Sequence, residues 1–338
     1  MTSNQVLRAG GLLACVIFAA RVEAQAPLPP SAQPAAERLA AARTALDQGR
    51  APDAIKILAA LDRSDPKVAE LLGVAYYRAD DYPHAIELLA PLVRTLPADS
   101  IERREAVQVL GLSYYLAGRL SESVPLLEET SKWATTNIEL AQALGMAYIQ
   151  TRQPENARTA LARAFGVDPQ SPSARLLAAQ MMIRIEFFEM ADNELKAALA
   201  ADPKLPHANF LLATNAIYRS RIDEGVELLE KELAINPADS MALYRLGEAW
   251  SRQQAWDKAI PALQRSLWIN PYYSGPYIVL GRAYLATGQL DTARGMLQRA
   301  VELDPNNKSA RYLYGQVLQR LGKSVEAKEQ FDISDKLQ

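Results

Sequence analysis

The stretches INPADSMALYRLGEAW at residues 235–250 and INPYYSGPYIVLGRAY at residues 269–284 are offset by 34 positions. Each contains an Asn-Pro dipeptide, then a Leu-Gly pair and then an aromatic residue at matching places. Self-similarity at a fixed spacing of 20–50 residues is the sequence signature of a repeat protein. The two stretches therefore predict a repeated supersecondary unit rather than a domain with a single core.

Small residues recur twice in each unit. We number the unit so that the glycine of the Leu-Gly pair is position 8. At position 8 the chain has Ala42, Gly73, Gly111, Gly145, Ala179, Ala213, Gly247, Gly281 and Gly315, and at position 20 it has Ala54, Ala85, Ser123, Ala157, Ala191, Gly225, Ala259, Ala293 and Ala327. Glycine inside a helix costs about 1 kcal/mol relative to alanine, so its recurrence needs a packing cause. We expect the residue at position 8 to face the residue at position 20, which would let two helix backbones approach closely.

Proline ends each unit. Position 32 is Pro66, Pro97, Pro169, Pro203, Pro237, Pro271 and Pro305, and the third unit departs with Thr135. Asp or Asn precedes six of these seven prolines, and such dipeptides favour turns because the residue before proline avoids the helical region. Between the prolines, apolar residues recur at helical spacing, as at Leu243, Leu246 and Trp250. Each unit is therefore predicted to contain two helices, here named A and B, joined by a short turn.

Residues 275–305 resemble the tetratricopeptide repeat family. In that family's pattern, positions 4 and 24 are bulky residues and position 7 is Leu. Position 8 is Gly, position 11 is Tyr, positions 20 and 27 are Ala, and position 32 is Pro. The matching residues here are Tyr277, Leu280, Gly281, Tyr284, Ala293, Leu297, Ala300 and Pro305. The resemblance covers about residues 35–338. It implies an all-α, right-handed α-solenoid of about nine 34-residue helix-turn-helix units, at about 35–65, 66–99, 104–137, 138–171, 172–205, 206–239, 240–273, 274–307 and 308–338.

Two units depart from this pattern. The first has Ala41, Ala42 and Ala45 where Leu, Gly and Tyr are usual. The third has four additional residues, 100–103, before its first helix. Asp99 together with Glu102 predicts a capped and extended first turn there.

The first 24 residues predict a secretory signal peptide. Arg8 precedes a run of 12 apolar or small residues, and Val22 and Ala24 suit the −3 and −1 positions of cleavage before Gln25. The run is shorter than the about 20 residues of a spanning helix, so we expect no membrane span after cleavage. The alternative is a lipoprotein signal anchored through Cys15, although the apolar run continues past that residue.

Removal of the signal leaves a chain without cysteine, because Cys15 is the only one. Such a chain forms neither a disulfide nor a thiolate metal site, and this suits the bacterial periplasm or secretion. Residues 25–34 contain four prolines and predict an extended linker. We therefore expect an exported protein in which the repeats follow this linker.

Composition and motifs argue against several kinds of function. A net charge of −2 at pH 7 gives no basic excess for nucleic acid. The two histidines, His84 and His207, lie in different units without neighbours at metal-ligand spacing. The chain has no Gly-x-Ser-x-Gly, phosphate-loop or dinucleotide-binding motif. We therefore predict a protein that is not an enzyme, with no catalytic residue, cofactor or metal.

The resemblance implies that the A helices line the concave side of the solenoid. Positions 2, 5, 9, 12 and 13 of each A helix would then face the groove. The candidate contact residues on this stripe are Tyr77, Gln108, Tyr115, Gln142, Met146, Gln180, Phe210, Thr214, Tyr244, Glu248, Arg252, Arg282, Tyr312, Gln316 and Arg320. Tyr, Met and Arg are enriched in interfaces, but packing between neighbouring helices would explain each side chain as well.

The function predicted from this stripe is an interaction scaffold or adaptor that binds a protein segment, in an envelope or secretion assembly. Arg252, Arg282 and Arg320 would make the far third of the groove basic, unless they are simply solvated. Some family members clamp a terminal carboxylate with Lys and Asn at positions 5 and 9, but here the second unit has Glu70 and Val74.

A second candidate function is a carbohydrate-binding or polysaccharide-export scaffold. Related exported repeat arrays serve such machines, and tyrosine and tryptophan surfaces suit sugars. Of the tryptophans considered for such stacking, Trp250 and Trp256 occupy positions 11 and 17 of their unit, where core or seam packing is expected, and Trp268 lies further along.

Overall fold

The computed structural model describes residues 34–337, which form eighteen α-helices and no strand. The predicted signal peptide and all but the last residue of the predicted linker lie outside the described residues. The A helices are α1 Ala35–Asp47, α3 Pro66–Arg78, α5 Ile101–Leu116, α7 Ile138–Gln150, α9 Pro172–Arg184, α11 Ala208–Tyr218, α13 Ser240–Arg252, α15 Ser274–Ala286 and α17 Lys308–Arg320. The B helices are α2 Ala51–Leu58, α4 Tyr82–Thr95, α6 Leu120–Ser131, α8 Pro154–Ala164, α10 Phe188–Ala201, α12 Ile222–Ile235, α14 Trp256–Ile269, α16 Leu290–Leu303 and α18 Ser324–Lys336.

Most A helices begin at a short polar side chain that caps their first turn. Asp65, for example, accepts a hydrogen bond from the backbone N–H of Lys67 at 2.9 Å, and Pro66 takes the first helical position. Such a cap satisfies a backbone donor that the helix cannot satisfy itself. The caps of α3, α5, α7, α9, α13 and α17 are Asp65, Ser100, Asn137, Ser171, Asp239 and Asn307.

A residue with positive φ follows two positions after the end of each A helix, and this residue is always at position 15. The nine residues are Gly49, Asp80, Gly118, Arg152, Glu186, Ser220, Gln254, Gly288 and Gly322. A left-handed residue just past the helix end closes the last turn and reverses the chain. The turn to helix B therefore begins at the same position in every unit.

The glycine at position 8 accommodates a leucine of helix B. A methyl group on Gly73 would lie 2.5 Å from Cγ of Leu89, and one on Gly145 would lie 2.7 Å from Cγ of Leu161. Both leucines are at position 24 and are fully buried. The expected contact between positions 8 and 20 is confirmed where Ser123 donates a hydrogen bond to the carbonyl oxygen of Gly111 at 2.8 Å. The space over the glycine is filled by the large side chain at position 24.

The third unit begins earlier than predicted. Helix α5 starts at Ile101 rather than at residue 104, and it has 16 residues where the neighbouring A helices have 13. Its cap is Ser100, which accepts a hydrogen bond from the backbone N–H of Arg103 at 3.1 Å. The additional residues thus form the expected extended turn, but the capping residue is Ser100 and not Asp99.

The stacking of the units places all A helices along one side. Every A helix from α1 to α17 contacts the A helix of the next unit, whereas successive B helices within residues 34–337 make at most sparse contact. Elements on the inner side of a curved stack lie closer together than those on the outer side. The A helices therefore form the inner wall of the solenoid. None of the helices in residues 34–337 combines the length and apolar character that crossing a bilayer requires.

Candidate functional site

We define the inner groove by the fifteen predicted contact residues, which all lie on A helices between α3 and α17. Their exposure differs. Tyr77, Gln108, Tyr115, Gln142, Met146, Phe210, Thr214, Glu248 and Gln316 are half-buried, Gln180, Arg252, Arg282, Tyr312 and Arg320 are exposed, and Tyr244 is buried. All except Tyr244 thus present surface that a bound molecule can reach.

Tyr244 supports the wall of the groove and presents little surface of its own. Its side chain is 9% exposed, and its ring meets the ring of Tyr273 edge-on with the centroids 5.3 Å apart. Burial raises the pKa of Tyr244. Tyr273 keeps 37% of its surface exposed, so the accessible ring at this point comes from the loop before α15.

The middle of the inner groove carries apolar surface. Tyr115 and Met146 are half-buried against one hydrophobic cluster of the core, and burial raises the pKa of Tyr115. Further along, the ring of Phe210 stacks on the ring of His207 with the centroids 4.8 Å apart. These side chains are held by packing and still keep an accessible face, as anchor sites in protein interfaces do.

In the predicted basic third of the inner groove, one of the three arginines is paired with a carboxylate. Glu248 accepts hydrogen bonds from the guanidinium groups of Arg245 at 2.8 Å and Arg252 at 3.2 Å. Arg320 donates to the backbone carbonyl of Leu285 at 3.4 Å. Arg282 is exposed and forms no ion pair with any residue between 34 and 337, so it is the arginine best placed to meet an anionic group.

The fold brings together three side chains with metal-ligand chemistry that sequence spacing did not indicate. One donor atom each of His207, Glu232 and Asp239 lies within 4.8 Å of the others. Glu232 accepts hydrogen bonds from the backbone N–H groups of His207 at 2.7 Å and Phe210 at 3.3 Å, and Asp239 caps α13. The capping of α11 and α13 explains why the carboxylates of Glu232 and Asp239 lie here. The absence of a metal stays a prediction.

The exposed aromatic residues outside the inner groove bear on the predicted carbohydrate alternative. Trp250 and Trp256 are half-buried. Trp268 is 90% exposed, near the end of α14, and Tyr272 in the following loop is 78% exposed. Of the tryptophans considered for stacking on sugar, Trp268 is therefore the one with an open face.

Sequence comparison identifies the repeat over most of the chain. One profile of the tetratricopeptide repeat matches residues 114–181, 251–316 and 284–334, and a second profile of this repeat matches residues 39–100 and 210–274. No curated protein matches the sequence.

Solved structures with a similar fold include several proteins built from helical repeats. MamA (residues 41 to the end) from Desulfovibrio magneticus RS-1 is 23% identical, with 49% of this chain and 94% of that chain covered and a TM-score of 0.46. YrrB, described as a TPR protein with an unusual peptide-binding site, is 20% identical over 54% of this chain and 93% of that chain, with a TM-score of 0.46. The Cut9–Hcn1 hetero-tetramer of APC/C is 17% identical over 83% of this chain and 55% of that chain, with a TM-score of 0.45.

These structural likenesses concern the fold alone. The family assignment comes from the repeated pattern, which the two profiles recognise in segments from residue 39 to residue 334. It agrees with the nine pairs of helices between residues 34 and 337. This chain belongs to the tetratricopeptide repeat family.

Proposed function

We propose that this protein is an interaction scaffold whose inner groove holds an extended segment of a partner protein. The observation that carries the proposal is the continuous inner wall, in which every A helix contacts the next from α1 to α17. Stacked helical repeats commonly use such extended concave surfaces for binding. A long wall with accessible side chains along its length suits an extended chain better than a compact small ligand.

The side chains of the groove support a protein segment as the occupant. Tyr115, Met146 and Phe210 offer half-buried apolar surface. The exposed polar residue Gln180 lies between Met146 and Phe210 along the wall, and Arg282 lies beyond them. Apolar anchors with a polar surround are the usual composition of a protein interface. The polar side chains would meet the backbone groups of an extended segment, which has no internal hydrogen bonds.

Site-specific photo-cross-linking tests this proposal. A photoreactive phenylalanine analogue is placed at Tyr115 in one protein and at Trp268 in another, and both are exposed to a native envelope extract. We expect the Tyr115 protein to form adducts with a defined partner segment that the Trp268 protein does not form. A synthetic copy of that segment should then bind the purified chain.

The matched variants are the triple substitution Tyr115→Ala, Met146→Ala and Phe210→Ala and the control Trp268→Ala. The triple variant should lose binding of the synthetic segment by at least about tenfold, since truncating even one residue that is a hot spot costs about 2 kcal/mol or more. Trp268→Ala should bind like the wild type. Equal adducts at both sites, or unchanged binding by a folded triple variant, would refute the groove as the binding surface.

We further propose that the chain is exported and acts in an envelope or secretion assembly. The support is the predicted signal sequence in residues 1–24 and the sole cysteine, Cys15, within it. Expression in a bacterial host followed by cell fractionation and N-terminal sequencing should give an envelope or secreted form that begins at Gln25. Labelling by fatty acid at Cys15 would instead identify a lipoprotein, and an unprocessed cytoplasmic form would contradict export.

A further inference from the structure

A cavity of about 300 Å³ opens on the inner wall between the first three A helices. Helix α1 contributes Arg43, helix α3 contributes Lys67 and Glu70, and helix α5 contributes Glu102 and Glu105. We call this cavity the acidic pocket. It lies at the opposite end of the inner wall from Arg282 on α15.

The irregularity of the third unit builds one side of the acidic pocket. Ile101 and Glu102 line the cavity, and both belong to the first turn by which α5 exceeds its neighbours. A unit of regular length would start its A helix after these residues. Two of the four residues that break the 34-residue period, Ile101 and Glu102, thus line the cavity.

Glu70 is buried in the acidic pocket without a counter-charge of its own. Glu70 is 5% exposed and forms no ion pair within residues 34–337, and its hydrogen-bond partner is the carboxyl group of Glu105. A hydrogen bond between two carboxyl groups requires a proton on one of them, so Glu105 supplies neither a donor nor a cation when both groups are ionised. A buried carboxylate that lacks a donor or cation is costly, since it loses its hydration without replacement.

The protonation of Glu70 reflects this environment. Burial is the main cause and the neighbouring charge of Glu105 the next, and together they raise the pKa of Glu70 to about 7. Arg43 lowers this pKa by a smaller amount, and Glu102 raises it slightly. Near neutral pH the two carboxyl groups can therefore share a proton, and a cation that entered the cavity would displace it.

The cations already present do not fill the cavity. Arg43 donates to Glu105 at 3.0 Å, but its side chain is 58% exposed. Lys67 is exposed and makes no ion pair with residues 34–337. Against these two charges stand Glu70, Glu102 and Glu105, so the pocket keeps an excess of one negative charge when all three are ionised.

We propose that the acidic pocket seats a lysine or arginine side chain carried by the protein segment in the inner groove. This inference rests on the proposed function. Leu39, Leu71 and Ile101 supply an apolar lining for the aliphatic stem of such a side chain, and Glu70 and Glu105 receive its charged head. Within residues 34–337 these carboxylates do not form a group that could hold a metal ion, which favours an organic cation.

Two peptide pools test this assignment on the full chain. Both are fluorescent, N-acetylated and C-amidated decapeptides of mixed Ala, Ser, Tyr and Leu, with a central lysine in one pool and a central norleucine in the other. Acetylation removes the terminal amine, so that the side chain is the only cation. At pH 8 we expect fluorescence anisotropy to show at least about tenfold tighter binding of the lysine pool, which corresponds to about 1.4 kcal/mol.

The variants separate the pocket from general electrostatics. Glu70→Gln keeps the shape of the side chain and removes its charge. The matched control, Glu87→Gln, removes an exposed charge on α4. Glu70→Gln should reduce the preference for lysine to less than about twofold, while Glu87→Gln should keep it. Binding of the norleucine pool should be the same in all three proteins.

The affinity for the lysine pool should also depend on pH. A carboxyl group that titrates near pH 7 is about one-tenth ionised at pH 6 and about nine-tenths ionised at pH 8, so the affinity should rise about tenfold over this range. The rise should vanish in Glu70→Gln. A wild type without lysine preference, or a preference that survives Glu70→Gln with its pH dependence, would overturn the assignment of the pocket.

The pattern of failure identifies which proposal is wrong. If both pools bind equally and Glu70→Gln changes neither, the groove binds peptides and the acidic pocket has no part in recognising them. If neither pool binds the wild type, a lysine side chain has no seat in the acidic pocket and the pocket assignment falls, whereas the groove is judged separately by the cross-linking at Tyr115.

Discussion

Gly247 on α13 lies so close to Leu263 on α14 that a methyl group on the glycine would be 2.5 Å from Cγ of the leucine. Leu263 is fully buried, and the carbonyl oxygen of Ala259 is 3.2 Å from the same point. Glycine at position 247 therefore destabilises helix A by about 1 kcal/mol relative to alanine, but it leaves room for a large side chain of helix B. The same relationship joins Gly73 to Leu89 and Gly145 to Leu161.

Gly247→Ala should destabilise the protein by about 1–3 kcal/mol, because the added methyl group forces Leu263 out of its rotamer or separates the helices. The measurement is urea denaturation followed by circular dichroism. Gly295→Ala is the control, since a methyl group on Gly295 in α16 meets no atom within 4 Å. Gly295→Ala should stabilise the protein by about 1 kcal/mol, because alanine has a higher helix propensity than glycine.

A double-mutant cycle shows whether Leu263 is the cause. Leu263→Ala removes the side chain that opposes the methyl group, so the loss in the double variant should be less than the sum of the two single losses by about 1 kcal/mol or more. Additive losses would show that Gly247 is required for a reason other than contact with Leu263.

Gly288→Ala should destabilise the protein by about 1 kcal/mol even though the side chain has room. Gly288 is the turn residue at position 15 with φ of 78°, and a methyl group on it meets no atom within 4 Å. The cost is therefore one of backbone conformation, which only glycine adopts freely. An unchanged midpoint of thermal unfolding would contradict this account, whereas Gly295→Ala remains the reference for a methyl group added without strain.

Glu194→Gln should destabilise the protein by about 3 kcal/mol. Glu194 on α10 accepts hydrogen bonds from Arg158 at 2.6 Å and from Arg175 at 3.0 Å, and the side chains of Arg158 and Glu194 are 5% and 7% exposed. Removing the carboxylate leaves a buried guanidinium without its counter-charge, which costs far more than the loss of an exposed pair.

Glu189→Gln on the same helix is the matched control for Glu194→Gln. Glu189 is 82% exposed and lies 3.5 Å from Arg219, so its change should alter the free energy of unfolding by less than about 0.5 kcal/mol. Equal effects in urea denaturation would mean that the buried network does not hold the fourth and fifth units together.

Glu70→Gln should stabilise the protein at pH 8 and have little effect at pH 5. The pKa of Glu70 is about 7 in the folded protein and about 4.5 in the unfolded chain, so between these values the folded state holds a proton that the unfolded state has released. The wild type therefore loses stability as pH rises through this window. The Glu70→Gln variant has no such charge to bury, so at pH 8 its free energy of unfolding should be about 2 kcal/mol higher than that of the wild type.

Thermal unfolding of wild type and Glu70→Gln at pH 5 and pH 8 measures this difference. Glu87→Gln should show no comparable dependence on pH, because Glu87 is exposed. A difference between wild type and Glu70→Gln that is the same at both pH values would show that Glu70 is not protonated by its burial.

The sequence was sufficient to predict the units, because the physical causes of each helix are local. Proline and its preceding Asp or Asn end a helix within a few residues, so dipeptides such as Asn236-Pro237 mark the unit boundaries. The apolar spacing in between predicted the two helices. Even the extended first turn of α5 was predicted from residues 100–103, although its cap is Ser100.

The contacts between helices were decided by the tertiary structure. The small residue at position 8 was predicted to face position 20, and Gly247 does approach the carbonyl oxygen of Ala259, but the packing of Leu263 against the same glycine depends on how the two helices cross. The burial of Tyr244 depends in the same way on Tyr273, which lies in the loop before α15. Neither relationship follows from the spacing of residues along one helix.

The acidic pocket shows most clearly which features the sequence predicts and which ones depend on the tertiary structure. The sequence determined that Glu70 and Glu105 each lie on the inner stripe of an A helix, because that placement depends on helical periodicity alone. That the two carboxyl groups meet in one cavity depends on the stacking of α1, α3 and α5 and on the additional turn of α5. Burial and the approach of like charges arise only when separate units pack together, and they determine the protonation of Glu70.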